Sequence, residues 1–170
     1  MVRRLAEAFA GHVGGFYTAE IRQEGRRVGF LLVTLAGEAA PFARSDWERA
    51  AHRVGRYGVD PDVLERLGVR AIRETLEAHR AVLVDEIGKM ELASRAFREA
   101  VEAAASGPTC LVATIVAARH PWADRFRRRP GTTELVLSPQ NREAIFQLAR
   151  QWLTSRVPAP GPDGREWSRS

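Results

Sequence analysis

The chain has 170 residues, one cysteine, and 26 lysine and arginine residues against 21 aspartate and glutamate residues, giving a formal net charge of +5. This length suits one ordinary domain, and a single cysteine excludes both a disulfide framework and a thiolate metal cluster. The apolar runs fall far short of the ~20 residues that span a bilayer, so we expect a cytoplasmic protein with no membrane partner. Lys89 is the sole lysine. The positive charge therefore reflects an arginine-rich composition, and we expect no nucleic-acid binding.

The first part of the chain predicts a helix followed by an antiparallel hairpin. Leu5, Ala6 and Phe9 have helical spacing, and nothing precedes this helix that could cap it. The predicted elements are a helix over 2–10, strands over 14–22 and 28–35, a loop over 36–44 and one short strand over 54–59.

From residue 61 onward, strands and helices alternate, which predicts a three-layer α/β fold. The continuous apolar runs are typical of strands covered on both faces, so we expect a mostly parallel sheet extended by the N-terminal antiparallel hairpin. The predicted elements are core strands over 81–84, 110–116 and 134–137, helices after Asp60, Ser94 and Ser138, and a basic loop over 117–131.

Two further expectations concern the end of the chain. The last helix should turn Ile145, Leu148, Ala149 and Trp152 inward. The proline- and glycine-rich stretch 157–170 has no apolar face, so we predict a domain over 1–156 followed by a disordered tail.

The strongest functional signal is the adjacent carboxylate pair Asp85 and Glu86 at the end of the apolar strand beginning at Ala81. Ligands of parallel sheets bind beyond the carboxyl ends of the strands, where this pair would emerge. The pair resembles the Walker B element of phosphate-loop NTPases, in which one carboxylate holds Mg²⁺ and its neighbour orients the attacking water. On this pattern alone, an acidic turn after a buried strand is an equal interpretation.

A phosphate-binding loop of the form G-x-x-x-x-G-K-[ST] is not encoded in these 170 residues. Lys89, the sole lysine, is followed by Met90 and has Leu83 where the first glycine should stand. The four histidines are too scattered for a zinc site, and no G-x-S-x-G nucleophile elbow occurs.

Several blocks together resemble the thermophilic nucleoside-triphosphate phosphatase family, known in animals as cancer-related nucleoside-triphosphatase. The blocks are Gly15 to Arg22, Gly29 with Phe30, Val33 to Leu35, Val54 to Asp60, Asp85 to Leu92 and Asn141 to Glu143. Their order and spacing extend over nearly the whole chain. The resemblance implies a phosphate-loop NTPase fold of the RecA-like or kinase-like kind, which hydrolyses ATP, GTP and related nucleotides with Mg²⁺.

Roles for individual residues follow from this resemblance together with the chemistry of the side chains. Asp85 is the candidate Mg²⁺ ligand and Glu86 the candidate catalytic residue that orients water. The candidate nucleotide-binding residues are Lys89, Arg22 and Arg44, which would meet phosphate charge, and Asn141 and Arg142 at the start of the last helix.

The family begins with a strand and a phosphate loop that lead into a helix resembling residues 2–7, whereas this chain starts at Met1 inside that helix. We therefore expect the first strand and phosphate loop to be missing from the given sequence. Without them we expect hydrolysis to be strongly reduced. A nucleotide kinase or a non-catalytic nucleotide-binding remnant is the alternative, and a monomer is the expected oligomeric state.

Overall fold

The computed structural model describes residues 1–157, which form one seven-stranded sheet with helices on both faces. The strands are β1 (Val13–Gln23), β2 (Arg26–Thr34), β3 (Ala39–Arg44), β4 (His52–Val54), β5 (Tyr57–Val59), β6 (Ala81–Ile87) and β7 (Leu111–Ile115). The helices are α1 (Val2–Ala8), α2 (Pro61–Val63), α3 (Arg70–Glu77), α4 (Arg95–Ser106), α5 (Pro121–Arg127) and α6 (Arg142–Thr154). A π-helical turn (Leu64–Val69) joins α2 to α3, and a short 3₁₀ turn (Glu91–Ala93) precedes α4.

The strand order in the sheet is β4-β5-β3-β2-β1-β6-β7. Only the pairs β1–β6 and β6–β7 are parallel, and the other four neighbouring pairs are antiparallel. The expected mixture of helices and strands is confirmed, but the expectation of a mostly parallel sheet is wrong. The excess of antiparallel pairs arises because β3, β4 and β5 extend the predicted hairpin across residues that lack a clear strand pattern.

The region between residues 36 and 59 departs most from the sequence prediction. Residues Ala39–Arg44 form β3 against β2 instead of a loop, and Pro41 lies at an irregularity in the register where a proline is tolerated. The predicted single strand over 54–59 is a hairpin that turns at Gly55, whose φ is +58°. Small residues and proline suggest a loop locally, but pairing with a neighbouring strand decides the structure.

The caps of two central helices were predicted correctly. Asp60 accepts hydrogen bonds from the backbone N–H groups of Asp62 and Val63, and Ser94 accepts one from Phe97. The expected basic loop over 117–131 is wrong in part, because α5 lies within it and buries Trp122, Ala123 and Phe126.

Two apolar clusters cover the two faces of the sheet. Successive side chains of β6 point to opposite faces, so Val82 and Val84 pack with α3 and α4, whereas Leu83 packs with α1 and α6. The expected three layers, with β6 at their centre, are confirmed. None of the helices in residues 1–157 is both long and apolar enough to cross a bilayer.

The C-terminal part of the described chain contains the other corrections. Residues 134–137 form no strand, and Leu135, Val136 and Leu137 are exposed, with Val136 at 80%. Within residues 1–157 they pair with no strand, although β7 has one unpaired edge.

The inward face predicted for α6 is confirmed in part, because Ile145 and Ala149 are half-buried and Ala149 packs against the core. Phe146 and Leu153 are buried, whereas Leu148 and Trp152 are exposed. Phe146 and Leu153 belong to the cluster that contains Leu5 of α1 and Leu83 of β6. Val157 packs against the same cluster. The rest of the predicted tail, 158–170, lies outside the described residues.

Candidate active site

Asp85 lies at the carboxyl end of β6, between the two strands parallel to it. Its register partner in β1 is Tyr17. On the other side, Thr114 of β7 donates a hydrogen bond of 2.5 Å from Oγ1 to Asp85 Oδ1. A hydroxyl from the adjacent strand thus fixes one oxygen of the candidate Mg²⁺ ligand. Sequence reasoning missed Thr114, although it is a single polar residue within the apolar run that forms β7.

Glu86 follows directly, and its side chain reaches the surface at the same end of the sheet. Partial burial, and then the negative charge of Asp85, raise the pKa of Glu86 above its ordinary value. A carboxylate with a raised pKa is a stronger base, which suits a group that accepts a proton from water.

The turn after β6 contains a third acidic residue, Glu91, which is buried. Glu91 is 3% exposed, and its Oε2 accepts a hydrogen bond of 3.1 Å from the backbone N–H of Gly88. The Leu92 N–H donates to the Gly88 carbonyl, which closes the turn. Glu91 was visible in the sequence only as part of the block from Asp85 to Leu92, and nothing local distinguished it from an exposed helix-start residue.

Lys89 lies in the same turn, four positions after Asp85, with an exposed side chain. Among residues 1–157, no carboxylate forms an ion pair with it. The ammonium group is therefore available to an anion arriving at the end of β6.

Arg22 and Arg44 lie much further along the sheet. β1 pairs with β6 only up to Tyr17 and then continues to Gln23, so Arg22 lies about 17 Å beyond the level of Asp85. Arg22 binds Glu20 at 2.6 Å, and Arg44 binds Asp46 at 2.6 Å. The structure does not bring these two arginines together with the acidic pair.

Asn141 and Arg142 occupy the start of α6. Asn141 Oδ1 accepts a hydrogen bond from the Ser138 N–H, and its Nδ2 donates to the Val136 carbonyl, each at 2.8 Å. The Asn141 amide thus shapes the turn before α6. Arg142 is exposed in the first turn of the helix.

The beginnings of α6 and α1 lie side by side. Arg4 binds Glu143 at 2.8 Å, and its guanidinium lies 3.8 Å from the centre of the Phe146 ring. The neighbouring Arg3 lies over the ring of Tyr17, which is level with Asp85. Both helices therefore begin near the carboxyl end of β6, the end of the sheet where the acidic pair emerges.

The residues at the end of β6 fit Mg²⁺ bound together with phosphates. Residues 1–157 contain no group of three or more histidine, cysteine or acidic side chains arranged to hold a metal ion by themselves. Mg²⁺ is commonly held by one or two carboxylates, with substrate phosphates and water completing its shell. Asp85, with one oxygen fixed by Thr114, is suited to that role.

A separate cavity of about 610 Å³ opens beside Trp47, His52 and Asp60. It lies against β5, four positions from β6 in the strand order. The cavity is therefore distinct from the acidic site.

The fold and this site define a mixed α/β protein whose parallel strands present an acidic pair at their carboxyl ends. Comparisons with known proteins identify the family. The sequence model of a family described as NTPase matches residues 1–149. The nucleoside-triphosphatase THEP1 of Thermotoga petrophila is 41% identical over 136 residues, covering 80% of this chain and 75% of that protein. The corresponding protein of Methanopyrus kandleri is 37% identical over 162 residues, covering 91% and 88%.

Two solved structures resemble the fold. The crystal structure of THEP1 from Aquifex aeolicus has a TM-score of 0.81 and 31% identity, covering 89% of this chain and 90% of that one. The solution structure of a human cancer-related nucleoside triphosphatase has a TM-score of 0.75 and 34% identity, covering 91% and 89%. The chain therefore belongs to the NTPase family and is an enzyme of that class.

Proposed function

We propose that the protein hydrolyses nucleoside triphosphates, including ATP and GTP, to the diphosphate and phosphate in the presence of Mg²⁺. The observation that carries the proposal is the pair Asp85 and Glu86 at the carboxyl end of β6, with Asp85 held by Thr114. The names of the relatives, all nucleoside-triphosphatases, support the reaction class.

Each side chain has a role in this reaction. When bound, Mg²⁺ would neutralise charge on the terminal phosphates, and Asp85 would hold it. Glu86 orients a water molecule and accepts its proton as the water oxygen bonds to the γ-phosphorus. The bond from that phosphorus to the β–γ bridging oxygen breaks, and the nucleoside diphosphate leaves. Lys89 and Arg142, both exposed, would meet the negative charge of the nucleotide.

The proposal includes a strand and a phosphate loop preceding α1, as the family resemblance implies. Two features of the described residues support it. β7 has one free edge, and its five residues are all only half-buried despite a largely apolar sequence. Leu135, Val136 and Leu137 are exposed although they follow a strand pattern. An added strand beside β7 would cover the half-buried residues of that edge and would offer residues 135–137 a strand to pair with.

We also infer a monomeric, cytoplasmic enzyme that acts on free nucleotides rather than on nucleic acid or a membrane. The single cysteine and the dispersed arginines support this inference. Size-exclusion chromatography with light scattering would test the oligomeric state.

The decisive experiment measures Mg²⁺-dependent phosphate release from ATP and GTP by the chain, alone and with a strand and phosphate loop joined before Met1. Glu86→Gln should lower kcat about 10²–10⁴-fold. Glu77→Gln, an exposed change at the end of α3, is the matched control and should leave the rate unchanged.

Two outcomes would overturn the proposal. If both forms of the chain release no phosphate, the protein does not hydrolyse nucleoside triphosphates. If the phosphoryl group appears on an added nucleoside monophosphate instead of in water, the enzyme is a nucleotide kinase.

A further inference from the structure

Glu91 is a glutamate in an environment where glutamates are rare. It is the first residue of the 3₁₀ turn and is 3% exposed. Glutamate side chains are almost never fully buried without a partner. Its partner is the backbone, because the Gly88 N–H donates to its Oε2 at 3.1 Å. The Ser94 N–H donates to the Glu91 carbonyl at 3.1 Å. The side-chain carboxyl and the backbone carbonyl of Glu91 therefore both stabilise the turn after β6.

Glu91 also lies close to the candidate base. A Cβ atom added at Gly88 would lie 2.4 Å from Glu86 Oε1 and 2.7 Å from Glu91 Oε2. The two carboxyl oxygens are therefore within about 5 Å of each other, a distance at which two ionised groups repel strongly. Because glycine has no side chain, Gly88 leaves room for both carboxyl groups at this short distance.

The charges around Glu91 favour its neutral form. Burial, and then the negative charges of Glu86 and Asp85, raise the pKa of Glu91 to about 8, against the opposing effect of hydrogen bonds from backbone N–H groups. Two charged side chains on the neighbouring helical elements bind other groups: Arg98 of α4 donates to the Leu92 carbonyl, and Glu65 of the π-helical turn accepts from Ser94. A neutral Glu91 avoids a third negative charge beside the acidic pair.

We propose that Glu91 is a positioning residue for Glu86: its buried carboxyl holds the Gly88 backbone close to the Glu86 carboxylate, which keeps that carboxylate oriented at the end of β6. This proposal rests on the proposed function of Glu86. It assigns Glu91 no contact with the nucleotide.

Two variants of similar volume separate a positioning role from simple packing. Glu91→Gln keeps an oxygen that can accept from Gly88 and is neutral at every pH, so kcat at pH 7 should remain within about twofold. Glu91→Met fills the same volume but accepts no such hydrogen bond, so kcat should fall about tenfold while KM is unchanged. Equal kcat for both variants, or a loss that appears only in KM, would overturn the proposal.

A second measurement does not depend on hydrolysis. Carbon-13 NMR at a single pH of 7 records the chemical shift of the Glu86 carboxyl carbon in the unmodified chain and in both variants. In Glu91→Met the Gly88 N–H loses its acceptor, so the Glu86 signal should move, whereas in Glu91→Gln it should stay close to its original position, with Glu77 unchanged as the internal control. The same Glu86 chemical shift in both variants would refute positioning, even if the chain hydrolyses nucleotides. A moved signal in Glu91→Met without phosphate release from the unmodified chain would refute only the proposed function.

Discussion

Thr114 Oγ1 lies 2.5 Å from Asp85 Oδ1, so a hydroxyl on one parallel strand holds the carboxylate of its neighbour. The contact links β7 to β6 at the end of the sheet where the candidate Mg²⁺ ligand emerges. It leaves the second oxygen of Asp85 for another ligand. The energetic value of this link can be tested directly.

Replacing Thr114 with valine removes the hydroxyl and keeps the branched shape of the side chain. A hydrogen bond to a charged group contributes about 1.5–3 kcal/mol, so we expect the Mg²⁺ concentration for half-maximal phosphate release to rise about tenfold or more. Thr154→Val is the control, because the Thr154 hydroxyl binds the carbonyl of Arg150 within α6. An unchanged Mg²⁺ requirement in Thr114→Val would show that the orientation of Asp85 does not depend on this hydrogen bond.

Gly88→Ala should disturb both carboxyl groups after β6. The added methyl carbon would lie 2.4 Å from Glu86 Oε1 and 2.7 Å from Glu91 Oε2, so at least one side chain must move. We expect kcat to fall about 10²-fold with a modest loss of thermal stability. Gly107→Ala, after α4, serves as the comparison because its nearest neighbour would be the Ala103 carbonyl oxygen at 3.3 Å. Equal activities of the two variants would contradict the placement of Glu86.

Stability should depend on pH through Glu91. The folded protein keeps the Glu91 proton up to about pH 8, whereas the unfolded chain loses it near 4.5. The stabilisation is therefore fully present below pH 4.5 and is lost as pH rises towards 8, with a slope of at most about 1.4 kcal/mol per pH unit. The lowered pKa values of Glu20, Asp46 and Glu143 act at more acidic pH.

Urea unfolding at several pH values between about 5 and 8.5 measures this slope. In Glu91→Gln the contribution of this residue should disappear, so the difference in free energy of unfolding between variant and unmodified chain should change steadily across the window. A difference that does not vary with pH would mean that Glu91 is ionised in the folded protein at pH 5.

In the absence of the strand proposed beside β7, the exposed apolar residues 135–137 should promote association of the chain of residues 1–157. Val136 is 80% exposed between Leu135 and Leu137, so Val136→Lys should lower both light scattering and binding of a hydrophobic dye without changing the unfolding midpoint. Thr133→Lys adds the same charge nearby and is the control. If both variants scatter equally, the apolar residues are not the cause of association.

The local pattern was informative wherever a segment forms its structure with its immediate neighbours. The hairpin of β1 and β2, the caps Asp60 and Ser94, and the apolar strand ending at Asp85 and Glu86 were all predicted correctly in position. In each case a short-range signal, such as a turn or a capping oxygen, coincides with the tertiary arrangement.

Residues 39–44 and 134–137 show the opposite case. The first has a loop-like composition yet pairs with β2, and the second has a strand-like composition yet pairs with no strand within residues 1–157. A strand requires a partner for its backbone groups, and a single sequence does not reveal which edges are available.

The sequence by itself determined the chemistry of this protein: an apolar strand that ends in two carboxylates, within blocks typical of one NTPase family. Only the tertiary structure decided the surroundings of that pair. It brought Thr114 from the next strand to Asp85 and buried Glu91 against the Gly88 backbone, whereas Arg22 and Arg44 remained far along the sheet. The physical reason is that side-chain identity is encoded locally, but burial and hydrogen bonding depend on residues that the fold brings together from distant positions.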